Sequence, residues 1–142
     1  MIRKGVAAIV FRKDKGRTKY LLLKRKLNWK GWEILKGGCK LFESEDKCLK
    51  REIKEEIGMS EFSVKKTKIF NKFKYQKLFQ KDNRLYSGAR HRIYLVEVFS
   101  KRIKIDKKEH SGFKWVLQKE ALKIIAWDDQ RKIFKRVTKK LG

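Results

Sequence analysis

The segment from Gly37 to Met59 constrains this chain more than any other. It reads Gly37-Gly38-Cys39-Lys40-Leu41-Phe42-Glu43, then seven residues, then Arg51-Glu52-Ile53-Lys54-Glu55-Glu56-Ile57-Gly58-Met59. Four glutamates stand at fixed spacing behind a glycine pair. They do so in a chain that carries 41 Lys and Arg against 16 Asp and Glu.

Local physics makes most of the segment a helix. Ser44 is a good N-cap, and Glu45 and Asp46 follow it where the helix dipole favours negative charge. Gly58 suits a left-handed C-cap. The helix is therefore expected over Glu45 to Ile57, with Leu49, Ile53 and Ile57 as its apolar stripe. At about 100° per residue, Glu56 lies roughly 40° to one side of Glu52, and Glu55 about 60° to the other. The three carboxylates share one arc beside the buried stripe. Like charges at this spacing weaken a bare helix, and Arg51 offsets only one of them.

An acidic run on a helix is more often a solvated face than a site. Here the acids gather on one side of one helix in a basic protein. A compact arc of oxygens suits Mg²⁺ or Mn²⁺, which take carboxylates, backbone carbonyls and water. Gly37 and Gly38 let backbone approach the same spot.

The spacing G-x5-E-x7-R-E-U-x-E-E-x-G-U, with U aliphatic, resembles the Nudix box. Gly37, Glu43, Arg51, Glu52, Ile53, Glu55, Glu56, Gly58 and Met59 match its fixed positions. The likeness continues outside the box. Residues Arg3 to Arg25 look like the first two strands of that family, and Trp32 to Gly37 resembles its W-x-x-P-K-G stretch. Glu109-His110, Trp115 and an alanine-bearing helix resemble the C-terminal part of the asymmetric diadenosine tetraphosphate hydrolase branch. Two positions depart from the pattern: Leu35 stands where the family has proline, and Phe42 where it has glycine. A bulky residue resists the left-handed angle that such a glycine often takes.

The resemblance implies an α/β fold, a Nudix α/β/α sandwich with a mixed sheet between helices. It implies hydrolysis of a nucleoside diphosphate linked to another group. Glu52, Glu56 and the Gly37 carbonyl would hold the metal, and Glu55 would be the general base, although the family varies in which glutamate serves. Arg51 would orient its acidic neighbours in preference to touching substrate. Glu43 would brace the loop or support the metal at one remove, with Gly38 and Gly58 shaping the two ends. Glu109 would be an extra catalytic or metal-binding acid; the bland alternative is a solvated acid beside Lys107-Lys108. Glu97, among Ile93, Leu95 and Phe99, is another acid that invites a partner.

Composition sets the class. A length of 142 residues fits one domain, residues 1–142, with a proper core. A hydrophobic content of 41% argues against disorder. No apolar run is long enough to span a membrane, and no signal core follows Arg3-Lys4. A cytoplasmic location follows as the expectation. Cys39 and Cys48 are too few for a disulfide scaffold, so reduced thiols are expected. His91 and His110 lack zinc-ligand spacing. No heptad or apolar patch fixes an oligomeric state.

Along the chain, Gly5–Arg12 and Lys19–Lys26 read as a strand hairpin around Asp14-Lys15-Gly16. Phe62–Phe70 and Lys72–Phe79 read as half-buried strands, and Lys81–Arg90 as a polar loop. His91–Phe99 is the strongest late strand, with Ile93 and Leu95 on one side and Tyr94, Val96 and Val98 on the other. Phe113–Leu117 is a short strand. Helices are expected over Gln118–Ala126 and Asp129–Leu141, the second capped by Asp128.

A net charge of +25 implies attraction to polyanions, beyond mere solubility. Basic and aromatic residues interleave in Lys72-Phe73-Lys74-Tyr75 and Arg84-Leu85-Tyr86. Lys36 beside the glycine loop, together with Arg92, would meet phosphates. Tyr86 and Tyr94 would stack a base, with a core role equally open. The favoured substrate is a dinucleoside polyphosphate such as diadenosine tetraphosphate. The alternatives are removal of pyrophosphate or a cap from RNA 5′ ends, and a non-catalytic RNA-binding module. Contact with RNA would then run through the basic surface.

Overall fold

β1 (Ile2–Asp14) is the axis of the molecule, because every residue from Val6 to Phe11 is buried and successive side chains point to opposite faces. Such a strand needs cover on both sides, which explains its unbroken apolar run. The computed structural model describes residues 1–74 and 86–141.

Six further strands complete the sheet: β2 (Arg17–Arg25), β3 (Gly31–Glu33), β4 (Leu35–Gly38), β5 (Ser63–Lys74), β6 (Gly88–Glu97) and β7 (His110–Val116). The main path runs β3-β2-β1-β6-β5, with β7 on β2. β1 pairs parallel to β6 along one edge. Its other edge is shared: Gly5–Ala8 pair with β4, and Phe11–Asp14 pair with β2. The fork seats the glycine strand beside the sheet's centre.

α1 (Glu45–Ile57) covers one face, where Val6, Ala8, Val10, Tyr94 and Val96 meet Leu49, Ile53 and Ile57. α2 (Gln118–Ile124) and α3 (Asp128–Thr138) cover the other, where Ala7, Ile9, Ile93 and Leu95 meet Ala121 and Phe134. The result is the α/β/α sandwich with a mixed sheet. Burying a side chain such as Ile53 contributes about 2 kcal/mol.

α1 has the expected limits. The Ser44 hydroxyl accepts from the Lys47 amide at 3.3 Å, and Gly58 closes the helix at φ 72°. Elsewhere the structure differs. β5 is one strand from Ser63 to Lys74, with its register against β6 shifting between Lys66 and Phe70. The rest of the expected Lys72–Phe79 strand lies outside the described residues, as do Tyr75, Arg84 and Leu85. The polar loop ends earlier, because Gly88, Ala89 and Arg90 pair with the start of β1. α2 stops at Ile124, where Ile125 bridges to Trp32. Trp127 takes the cap position of α3, and Asp128 and Asp129 occupy its first turn. No helix among the described residues is long and apolar enough to cross a membrane.

The expectation of reduced thiols is corrected. Cys39 and Cys48 form a disulfide, with Cα atoms 5.3 Å apart. Cys39 follows β4 and Cys48 lies in the first turns of α1, so packing the loop onto the helix brings the two together.

Candidate metal and phosphate site

The box loop and helix are joined through Arg51. Its guanidinium has five N–H donors. Nε donates to Glu43 Oε2 at 2.8 Å and Nη2 to Glu43 Oε1 at 2.9 Å, a bidentate grip. Nη2 also donates to the Gly38 carbonyl at 3.0 Å. Nη1 reaches Glu52 Oε1 at 2.9 Å and Glu55 Oε2 at 3.1 Å. Every donor is used, so Arg51 sets the positions of loop and acids and keeps no hydrogen for a further ligand in this state. The Arg51 guanidinium holds the Glu43 carboxyl down at about 2. Glu43 also accepts the Lys40 amide at 2.9 Å, closing the turn in which Phe42 sits. Phe42 adopts φ 65° there and is 97% exposed, so the turn keeps its left-handed residue without glycine.

Glu52 lies against β4. A Cβ on Gly37 would overlap the Glu52 carboxylate, so backbone and acid meet only because residue 37 has no side chain. Burial raises the Glu52 carboxyl to about 7, against the opposing pull of Arg51. Glu55 is about half exposed and Glu56 is buried.

A second set of residues converges on Glu56 from the strands. His110 opens β7, Glu33 ends β3 and Arg25 ends β2. His110 Nε2 lies 2.7 Å from Glu33 Oε2, and its Nδ1 faces Glu56 Oε2 at 3.2 Å, out of line for a hydrogen bond. Arg25 Nη1 lies 3.4 Å from Glu33 and 3.5 Å from Glu109. The Asp106 amide donates to the Glu56 carbonyl at 3.2 Å, which pins this segment to the end of α1. Burial alone would lower the His110 pKa. The carboxylates of Glu33 and Glu56 reverse that and raise it to about 9. Burial, followed by the nearby Glu56, raises Glu109.

This pocket fits a cation. Glu56, Glu109 and His110 each offer a ligand atom within 4.8 Å of the others. Glu33 Oε1, Glu56 Oε2 and His110 Nδ1 are buried without a hydrogen-bond partner. Buried polar atoms left so are uncommon unless water or an ion serves them. The carboxylates of Glu56 and Glu109 offer oxygens of the hard kind that Mg²⁺ or Mn²⁺ takes.

The remaining expected residues divide. Lys36 sits opposite Ala7, with Nζ 3.9 Å from Glu33 Oε1 and 5.1 Å from the Phe73 ring. Arg92 and Tyr94 instead meet the start of α1: Arg92 Nε and the Tyr94 hydroxyl both donate to Glu45 Oε1 at 2.8 Å. Glu45 precedes Glu52 by seven residues, about 10 Å of helix. Tyr94 is fully buried, so it takes the core role and offers no face to a base. Tyr86 is half-buried under the Arg3 guanidinium, 5.9 Å from its ring centre. Glu97 ends β6 opposite Phe11, beyond the stretch of β1 that carries β4.

Sequence reasoning missed Glu33, Arg25 and the role of His110, since each comes from a different strand. The one local signal was a buried-type acid between Trp32 and Ile34. His91 was missed as well. It is buried, held down at about 3 by burial and by Lys36 and Arg3, and it fits because Gly5 leaves room for its ring.

Comparison with known proteins bears on the fold and the family. A search of curated proteins finds no match to the sequence. Among solved structures, the chain resembles a Caenorhabditis elegans Ap4A hydrolase in a binary complex, at 19% identity and TM-score 0.79, covering 99% of this chain and 98% of that one. It resembles a NUDIX hydrolase from Listeria monocytogenes at 18% identity and TM-score 0.81, covering 96% and 92%. It also resembles the Escherichia coli dihydroneopterin triphosphate pyrophosphohydrolase at 14% identity and TM-score 0.80, covering 96% of each chain. These likenesses concern the fold. The sequence profile of the NUDIX domain matches residues 1–137, and the chain belongs to that family.

Proposed function

We propose that this Nudix-type pyrophosphohydrolase cleaves a dinucleoside polyphosphate such as diadenosine tetraphosphate. The observation that carries the reading is the meeting of Glu56 from α1 with Glu109 and His110 from the β7 approach. Similarity to the nematode Ap4A hydrolase supports the substrate class.

Glu52 and Glu56, with the Gly37 carbonyl, would hold Mg²⁺ or Mn²⁺. A divalent cation bound there supplies neutralisation of the anhydride oxygens and activation of a water. The protein's own residues do the rest. Arg51 keeps Glu52 and Glu55 at fixed positions relative to the glycine strand. Glu55, partly in solvent and one residue before Glu56, takes the proton from the attacking water. Oxygen bonds to phosphorus, the anhydride P–O bond breaks, and the leaving phosphate carries the electron pair. Lys36 lies at the same strand and would meet a substrate phosphate.

A second reading makes Glu109 the base. Its carboxyl is raised by burial beside Glu56, which brings it nearer to working pH. Glu55→Gln and Glu109→Gln separate the two. The base variant loses roughly 100-fold or more in kcat and loses the acidic limb of its pH profile.

The substrate test is a panel of diadenosine polyphosphates, nucleoside triphosphates, ADP-ribose and 5′-triphosphate RNA, each with Mg²⁺ and with Mn²⁺. Mononucleotide release from the diadenosine compounds is expected to lead. Preference for the RNA would select the 5′-end reading instead. Unchanged turnover in Glu56→Gln would refute the site assignment.

A further inference from the structure

A second concavity lies on the α1 face of the sheet, at the first residues of β1, and shares no residue with the carboxylate site. It has a volume of about 330 Å³, and its walls include Arg3, Lys4, Glu45, Phe70, Arg90 and Arg92. We propose that it binds a phosphate group.

The sheet register builds the site. β1 and β6 run parallel with Lys4 directly opposite Arg90 and Val6 opposite Arg92. β5 places Phe70 opposite Arg92. Side chains two apart on a strand share a face, so Lys4, Arg90 and Arg92 project together. The Arg90 guanidinium lies 3.6 Å from the Phe70 ring centre and that of Arg92 lies 4.3 Å from it. One ring therefore steadies two guanidinium groups.

Charge makes the arrangement informative. Like charges directly opposite each other destabilise a sheet. Glu45 holds Arg92 through its Nε, and the Thr67 carbonyl accepts from Arg92 Nη1 at 3.1 Å. Tyr94 and Arg92 keep the Glu45 carboxyl ionised, against the upward push of burial. That single acid accounts for one cation. Among the described residues, Lys4 and Arg90 have no carboxylate within 4.0 Å. Two uncompensated cations, Lys4 and Arg90, on the same face of one hollow are favourable when an anion enters it. Guanidinium groups stacked on a ring keep their N–H edges free, and those edges match phosphate oxygens. The hollow suits a phosphate or a short polyphosphate segment, at the small end of ligand pockets.

Two sources carry this chemistry: a free polyphosphate and the backbone of single-stranded RNA. The experiment is calorimetric titration of the protein with inorganic tripolyphosphate in EDTA, which removes the metal route, at fixed salt. Lys4→Gln/Arg90→Gln is expected to weaken binding at least tenfold, while Glu52→Gln leaves it unchanged. Lys132→Gln/Lys135→Gln on α3 removes the same charge elsewhere and is expected to change affinity less than threefold. The proposal is overturned if tripolyphosphate does not bind, if the α3 pair weakens binding as much as the pocket pair, or if Glu52→Gln abolishes it. In a parallel arm, tripolyphosphate competes with a labelled single-stranded RNA. Competition that disappears in Lys4→Gln/Arg90→Gln supports the site with RNA as its source. RNA binding untouched by the pocket pair, with tripolyphosphate weakened, supports it with free polyphosphate.

Discussion

His110 Nε2 lies 2.7 Å from Glu33 Oε2 where neither side chain is more than 3% exposed. A buried acid and a buried imidazole at this distance are worth little as a net gain but much as a pair, since removing one strands the other.

The pair predicts an alkaline sensitivity. The folded His110 pKa is about 9, above its ordinary 6.5. A raised pKa contributes stability that is fully present below 6.5 and is lost as pH rises through about 9. In EDTA the melting temperature is expected to fall between pH 7 and 9.5, and His110→Gln to flatten that fall. His110→Ala is expected to cost about 3 kcal/mol by taking from Glu33 and Glu56 their closest cation, while Arg25 stays with Glu33. Thermal denaturation across the pH series measures both.

Glu52 gives the opposite dependence, in metal affinity. Its carboxyl stands at about 7 without metal, and a carboxylate must shed its proton to become a ligand. Mg²⁺ affinity is therefore expected to weaken as pH falls below 7, approaching tenfold per unit when one proton is released. Calorimetry in buffers of different ionisation enthalpy would count that proton. Equal affinity at pH 6 and pH 8 would contradict the assignment of Glu52.

The Cys39–Cys48 disulfide closes a short loop that carries Glu43. Loop-closure entropy for a ring of that length amounts to about 2–3 kcal/mol. Reductant is expected to lower the melting temperature of the wild type by several degrees and to leave Cys48→Ala unmoved. Mass spectrometry before and after alkylation confirms the bond state.

Phe42 holds a left-handed conformation with its ring in solvent. That angle costs an L-residue about 1–2 kcal/mol. Glycine removes the cost but gives up about 0.5–1 kcal/mol in chain entropy. Phe42→Gly is expected to raise the melting temperature by a few degrees without altering the pH dependence of metal binding.

The parts legible in sequence are those whose causes are local. Ser44, Gly58 and the Leu49–Ile53–Ile57 stripe lie within one helix, and α1 has the bounds they imply. The two faces of β6 likewise follow from alternation. What escaped depends on register between distant strands. Nothing near His110 in the chain announces Glu33, which sits 77 residues away. The cysteine pair looked too sparse for a bond because the fold, not the spacing, brings the thiols together. Tyr94 looked like a stacking residue because a tyrosine's hydroxyl partner is invisible until Glu45 arrives beneath it.

Gly37 has an ordinary backbone angle, so its importance is one of room alone. The hydrogen it carries acts as a spacer gauge between strand and helix. An alanine there would force the Glu52 carboxylate off its seat. The seat of the Glu52 carboxylate against the strand is thus set by an absent methyl group.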